Sequence, residues 1–272
     1  MKKVIDDSFR WNKVANWYDA LVGEEGSEFH RFVIFPNLID LMGGKKEHDL
    51  EGKKVVDIAC GQGVLCRLLS SLGCETLGID ISPTLVRMAK KRSPSVTNPA
   101  YVTADCTKLL SNNGNLKFDL KENYYDYATI VLSIQNISPM APLLKASNKL
   151  LKKGGSLIIT MMHPCFRIPQ YADWQFNDKE KRQERVIWKY LENTEIKIKQ
   201  NPSENDSAET IHYHRPLKSY INALANAGFM ISKVDELITY KQEQKGVRSE
   251  MIMQAKKEFP MFLVIKATKV AD

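Results

Sequence analysis

The sequence contains no apolar run approaching the length that crosses a bilayer, which argues against a membrane partner. Its first residues, MKKVIDDSFRWNK, start basic but have no apolar stretch behind them, so a secretory signal is not expected there. Cysteine is scarce and odd in number: Cys60, Cys66, Cys74, Cys106 and Cys165 lie scattered. No CxxC pair or Cys/His cluster occurs, and no metal site is expected. Reduced thiols in a cytoplasmic protein are the simplest reading. No internal repeat is visible, and no interdomain linker interrupts the chain.

What is present is ordinary for a globular protein: 272 residues, 43% hydrophobic and 26% charged. A chain of this length can bury a sizeable core. The net charge is +7. Its lysines are spread out, at Lys45-Lys46, Lys53-Lys54, Lys90-Lys91, Lys152-Lys153 and Lys256-Lys257. Several fall where helices should end, where a cation suits the dipole and the solvent. A solvated surface is therefore preferred to a nucleic-acid footprint, which stays as the alternative.

Hydrophobic periodicity predicts helices over 8–21 and 28–42, then a strand at 54–59, a glycine turn and a helix at 64–72. A strand at 76–79 leads to a helix entered through Ser82-Pro83. Further strands are expected at 101–104, 127–132 and 156–162, with a helix at 142–153 that stops at Gly154-Gly155. Strands alternating with helices in this way predict a doubly wound, mostly parallel α/β sheet. Ligands of such sheets sit beyond the carboxyl ends of the strands. After Met162 the rhythm breaks. Residues 163–215 are too many for a plain connection and should carry structure of their own. Thr194–Lys199 alternates like a half-exposed strand, with 211–214 as its partner. A helix at 217–227 and strands at 229–237 and 262–268 close the chain.

The segment Val55-Val56-Asp57-Ile58-Ala59-Cys60-Gly61-Gln62-Gly63 is the most informative. A strand ends in a turn whose two glycines let a ligand approach the backbone. The next helix points its N-terminus at that ligand. Asp57, inside the strand, needs a cationic or hydrogen-bonding partner. Asp80 ends the next strand, seventeen residues after Gly63, where a carboxylate can accept from both ribose hydroxyls. Cys66 occupies the position where a dinucleotide-binding fingerprint wants a small residue, and no GK[ST] follows as in a P-loop.

This set resembles the class I S-adenosylmethionine-dependent methyltransferases. Ala104-Asp105-Cys106 matches their third-strand acid, Tyr125-Asp126 through Leu132 their fourth strand, and Leu151 through Leu157 their post-helix signature. The resemblance implies a seven-stranded Rossmann-like sheet as a single domain over 1–272. Residues 1–45 would form an N-terminal helical lid, 50–162 the cofactor half, 163–215 a substrate insertion after the fifth strand, and 216–272 the end of the sheet. It implies S-adenosylmethionine as cofactor, S-adenosylhomocysteine as product, and cofactor contacts from Tyr18, Asp57, Ala59, Cys60, Gly61, Gly63, Asp80, Ile81, Asp105, Cys106 and Leu132.

His163-Pro164-Cys165-Phe166 and His214-Arg215-Pro216 resemble turns of a small-molecule subgroup of that family. His163 is a candidate base for a nucleophile, or a histidine that hydrogen-bonds its own turn. Ser133, Phe166, Trp174 and His214 are candidate acceptor contacts. The aromatic insertion favours a small, partly apolar or aromatic acceptor. An RNA or protein methyltransferase, or a silent binding scaffold, are the alternatives. The acceptor atom and the oligomeric state are not written in the sequence.

Overall fold

The computed structural model describes residues 7–46, 48–95, 97–199, 209–241 and 246–270. The first helix, α1 (Asp7–Val22), precedes a π-turn at His30–Ile34 that runs into α2 (Phe35–Leu41). The expected helix over 28–42 is thus split in kind, with Pro36 seated in the first turn of α2, where no N–H is needed.

The alternating region is β1 (Lys54–Ile58), α3 (Val64–Ser71), β2 (Glu75–Asp80), α4 (Pro83–Arg92), β3 (Ala100–Thr103), β4 (Tyr125–Val131), α5 (Met140–Leu150) and β5 (Leu151–Met162). α4 begins as its sequence suggests: the Ser82 hydroxyl accepts the Leu85 N–H at 3.2 Å, and Pro83 fills the first turn. α5 ends three residues earlier than the glycine pair predicts. Leu150 and Leu151 are both fully buried, and Leu151 already belongs to β5.

Two hairpins follow, β6–β7 (Ala172–Asn177, Arg182–Ile187) and β8–β9 (Thr194–Lys199, Glu209–His214). The second was expected; the first was not, because its turn carries no glycine or proline. Lys181 takes the left-handed conformation there instead, at φ +50°. The chain ends through α6 (Leu217–Asn226), β10 (Phe229–Leu237), α7 (Ser249–Glu258) and β11 (Phe262–Lys269). α7 was also not foreseen.

The main sheet has seven strands in the order β10-β11-β5-β4-β1-β2-β3. β11 runs antiparallel to both neighbours, and the other pairings are parallel. Each face carries a core. Val56, Ile58, Ile130 and Ile159 pack on α5 and α6. Val55, Ile158 and Val264 pack on α2 and α3. Burial on both faces explains why these strands read as near-continuous apolar runs. Strand order reverses between β1 and β4, so a crevice opens at their carboxyl ends. No helix among the described residues is long and apolar enough to cross a membrane.

Candidate functional site

A cleft of about 780 Å³ lies at this switch point. Its floor is built by the ends of β1, β2 and β4. Ala59, just after β1, has φ +61°, and Leu132, just after β4, has φ +51°. Both line the cleft. Left-handed backbone costs a non-glycine residue about 1–2 kcal/mol, and such strain gathers at ligand sites where the surroundings hold it.

Asp80 is the anchor of this floor. Its two carboxylate oxygens accept the backbone N–H groups of Gly61 and Ser82, each at 2.8 Å. Four lone pairs serve two donors here, so capacity remains for hydroxyls entering the cleft. Burial pushes its pKa up to about 6, against the lowering effect of the Ser82 and Gly61 hydrogen bonds. Gly61 has φ +57°, and a Cβ there would lie 3.0 Å from the Tyr18 ring. The glycine is therefore required by its backbone and by the close approach of Tyr18.

α1 closes the cleft. Trp11 and Tyr18 both line it and meet edge to face, with ring centroids 6.1 Å apart. Burial raises the Tyr18 pKa, so its hydroxyl stays protonated. The helix and the turn that follows it are tied down. Asn12 accepts from the Ser82 hydroxyl at 2.6 Å, Asp19 pairs with Arg92, and Arg67 donates to the Glu24 carbonyl at 2.9 Å. Trp11 was missed in the sequence, although it stands two helical turns from Tyr18 and so shares its face.

On the far wall, Asp105 caps a short turn: its Oδ1 accepts the Thr107 N–H at 2.9 Å, and Lys108 pairs with its Oδ2 at 2.8 Å. Burial would raise its pKa, but Lys108 and Thr107 outweigh burial and hold it low. Ile81, Cys106 and Ser133 complete this wall. The Ser133 hydroxyl is buried and has no hydrogen-bond partner. A buried orphan hydroxyl costs about 1–3 kcal/mol, so its presence facing a cleft calls for a ligand atom.

The structure thus gathers Tyr18, Ala59, Gly61, Asp80, Ile81, Asp105, Cys106, Leu132 and Ser133 around one cleft. Seven expected site residues lie elsewhere. Asp57 sits inside the sheet, accepting the Thr129 hydroxyl at 2.7 Å and the Cys66 thiol at 3.7 Å. Burial pushes its pKa up to about 7. The partners it needed are thus a hydroxyl and a thiol beneath the loop. Gly63 makes room for packing: a Cβ there would lie 2.5 Å from the Tyr101 hydroxyl. The Cys60 sulfur is buried with Cys66, Val86, Ala89 and Tyr101 behind the loop.

His163 lies just after β5 and engages both ring nitrogens. Its Nδ1 accepts the Cys165 N–H at 3.2 Å, which leaves Nε2 to donate to Glu236 at 2.7 Å. Burial lowers its pKa, against the pull of Glu236. Both ring nitrogens are occupied, and the ring lies outside the cleft lining. Phe166 lies tilted against that ring, with centroids 4.8 Å apart, and Trp174 meets Phe259 edge to face. The His214 Nε2 bonds the Tyr190 carbonyl at 2.9 Å. None of these three lines the cleft. β9 nonetheless reaches its rim: Asn136, a lining residue, donates to the Ile211 carbonyl at 2.8 Å, and Arg215 donates to the Ile137 carbonyl at 2.8 Å. Among the described residues, no group of three His, Cys, Asp or Glu is placed to hold a metal ion.

A family profile described as a methyltransferase domain matches residues 30–234. A demethylmenaquinone methyltransferase of Staphylococcus aureus (strain MRSA252) is 30% identical over 152 residues, covering 54% of this chain and 56% of the relative. The chain therefore spans about half the length of the curated relatives it matches. Among solved structures, an S-adenosylmethionine-dependent methyltransferase from Mesorhizobium loti superposes with TM-score 0.63 at 24% identity, over 86% of this chain and 96% of that one. Magnesium protoporphyrin IX methyltransferase from Synechocystis, solved with its methyl donor bound, superposes with TM-score 0.57 at 13% identity, over 99% and 100%. At these identities the two structures establish the likeness of fold.

Proposed function

This chain belongs to the methyltransferase-domain family, and from that premise we propose that it is an S-adenosylmethionine-dependent enzyme that methylates a small, partly apolar or aromatic acceptor. One observation carries the reading: a buried carboxylate, Asp80, held beside a left-handed glycine against which Tyr18 packs closely, in a cleft roofed by two aromatic rings. The residues suit the donor. Asp80 has lone pairs left for vicinal ribose hydroxyls. Gly61 leaves its backbone open to close approach. The apolar ring faces of Trp11 and Tyr18 suit a flat or cationic group beneath them.

S-adenosylmethionine, when bound, supplies an activated methyl group on a sulfonium. The chain's own work is then positional. Asp80 and the Gly61 loop fix one partner, while α1 excludes water from above. Ser133 offers its unpartnered hydroxyl to the acceptor, as donor or acceptor of a hydrogen bond. His163 takes no proton in this scheme, since both its nitrogens are engaged. The relatives named above act, by their names, on demethylmenaquinone and on magnesium protoporphyrin IX, which supports a small-molecule acceptor.

The test is incubation of the full chain with methyl-labelled donor and separate panels of small metabolites, RNA and protein extract. Label in the metabolite panel is expected. Label confined to RNA or protein would overturn the small-molecule reading. Calorimetry with the donor alone separates the silent scaffold: no heat of binding would leave that alternative standing.

A further inference from the structure

The β6–β7 hairpin carries an arrangement that the methyl-transfer reading does not use. Two guanidinium groups lie against one indole. The Arg185 guanidinium carbon is 4.8 Å from the Trp174 ring centroid, and that of Arg167 is 5.6 Å from it. Phe259 buttresses the same indole edge to face at 5.3 Å. Each arginine is fixed by its Nε–H: Arg185 donates to the Phe166 carbonyl at 2.8 Å, and Arg167 to the Pro260 carbonyl at 3.4 Å. These bonds orient the forks and leave their Nη groups without a protein acceptor among the described residues.

Both side chains are half-buried. Burial, and then the charge of Arg185, pull Arg167 below the usual arginine value. Burial also lowers Arg185, with Asp173 opposing. Asp173 is not in ion-pair contact; its Oδ1 accepts the Trp174 backbone N–H at 2.7 Å. The neighbouring arginines differ. Arg182 pairs with Glu184 at 2.8 Å and Arg248 with Asp178 at 2.6 Å. Among the described residues, no carboxylate lies within ion-pair distance of Arg167 or Arg185. Two like charges thus lie against one indole, partly desolvated and unneutralised, while the neighbouring Arg182 and Arg248 are paired. Such an arrangement carries a cost that a bound anion removes.

We propose that Arg167, Arg185 and Trp174 form a binding site for an oxyanion, a phosphate or a carboxylate group. Guanidinium forks match both groups in bidentate geometry. The indole adds an apolar wall for whatever carries the acid. The site lies outside the cleft, and it stands or falls separately from the methyl-transfer reading.

The experiment is isothermal titration of the full chain with inorganic phosphate and, separately, with benzoate, at constant ionic strength in chloride buffer. Saturable binding of at least one probe is expected. Tighter phosphate binding identifies a phosphate ligand; tighter benzoate binding identifies a carboxylate backed by a ring; equal binding leaves the shared oxyanion chemistry in place. Arg167→Gln and Arg185→Gln should each weaken binding by about tenfold or more, the loss of one charge-assisted pair. Arg248→Gln, which breaks the pair between the start of α7 and Asp178 in the hairpin's turn, should not. Arg167→Lys and Arg185→Lys keep charge and stem but lose the fork. They should weaken binding by about threefold or more, and they decide the matter if a Gln variant fails to fold. Absence of saturable binding by both probes, or binding in every Arg167 and Arg185 variant equal to that of the parent chain, overturns the proposal.

Discussion

Asp80→Asn keeps the shape of the side chain and removes its charge, and two opposing effects on stability can be worked out. The pKa of Asp80 is pushed by burial from 3.8 to about 6. A carboxyl with a raised folded pKa stabilises the fold fully below the unfolded value. That contribution is lost as pH rises through about 6. At neutral pH the ionised group therefore costs roughly 3 kcal/mol, at 1.36 kcal/mol per unit, and the asparagine variant escapes this. Against that gain, an amide NH2 cannot accept the N–H of Gly61 or Ser82, so one of these loses its partner, at about 1–3 kcal/mol. The effects nearly cancel, and the melting midpoint should move by no more than about 5 °C for a chain of this size.

Donor affinity has no such cancellation. Loss of charge-assisted bonds to the ribose should cost about 1.5–3 kcal/mol, or about 10- to 150-fold in Kd. Calorimetry of S-adenosylmethionine binding, beside thermal melting of the same samples, reads both quantities. The parent chain should also bind more weakly as pH falls through about 6, where Asp80 takes a proton, while the variant should not change there. Asp57, pushed up to about 7, and Tyr18 lie near the same loop, and the variant separates their titration from that of Asp80. Donor affinity within about threefold of the parent at neutral pH would refute the role assigned to Asp80.

Gly63→Ala should destabilise the fold by about 2–4 kcal/mol in urea unfolding, since φ is +79° and the new Cβ would meet Tyr101 and Ala89 within 2.9 Å. A loss below about 0.5 kcal/mol would show that the loop yields instead. Ser133→Ala should leave stability unchanged or slightly higher, because the hydroxyl has no partner to lose. With an acceptor in hand, its KM should rise severalfold while donor affinity stays constant. His163→Ala should lower stability by about 1–3 kcal/mol through the lost Cys165 and Glu236 bonds. The shape of its pH–rate profile should match the parent; disappearance of the acidic limb would return His163 to the role of base.

The strand–helix alternation over residues 50–162 was legible because its physics is local. A buried parallel strand must be apolar on both faces, and Val55, Val56 and Ile58 say so by themselves. A strand that turns sharply into a helix must use a residue free to adopt positive φ, and Gly61 marks the spot. Ser82-Pro83 announced a helix start that the structure realises atom by atom. Residues 163–215 were less legible. The β6–β7 hairpin turns on Lys181 rather than on glycine, so the usual turn signal is missing. Trp174 and Phe166 looked like pocket residues because they are aromatic and near the site in sequence. Both instead pack edge to face on Phe259, which arrives from the far end of α7.

The residue pattern alone determined the strand–turn–helix unit, the second acid at Asp80 and the doubly wound order of elements, since each follows from chain periodicity and neighbouring residues. Only the tertiary structure decided which side chains face one another. Tyr18 reaches Gly61, and Asn12 reaches Ser82, because α1 folds back across the crevice. Asp57 and Asp80 look alike in sequence, each an acid in a strand. One points into the sheet at Thr129 and the other toward the open end, a difference set by where each strand stops.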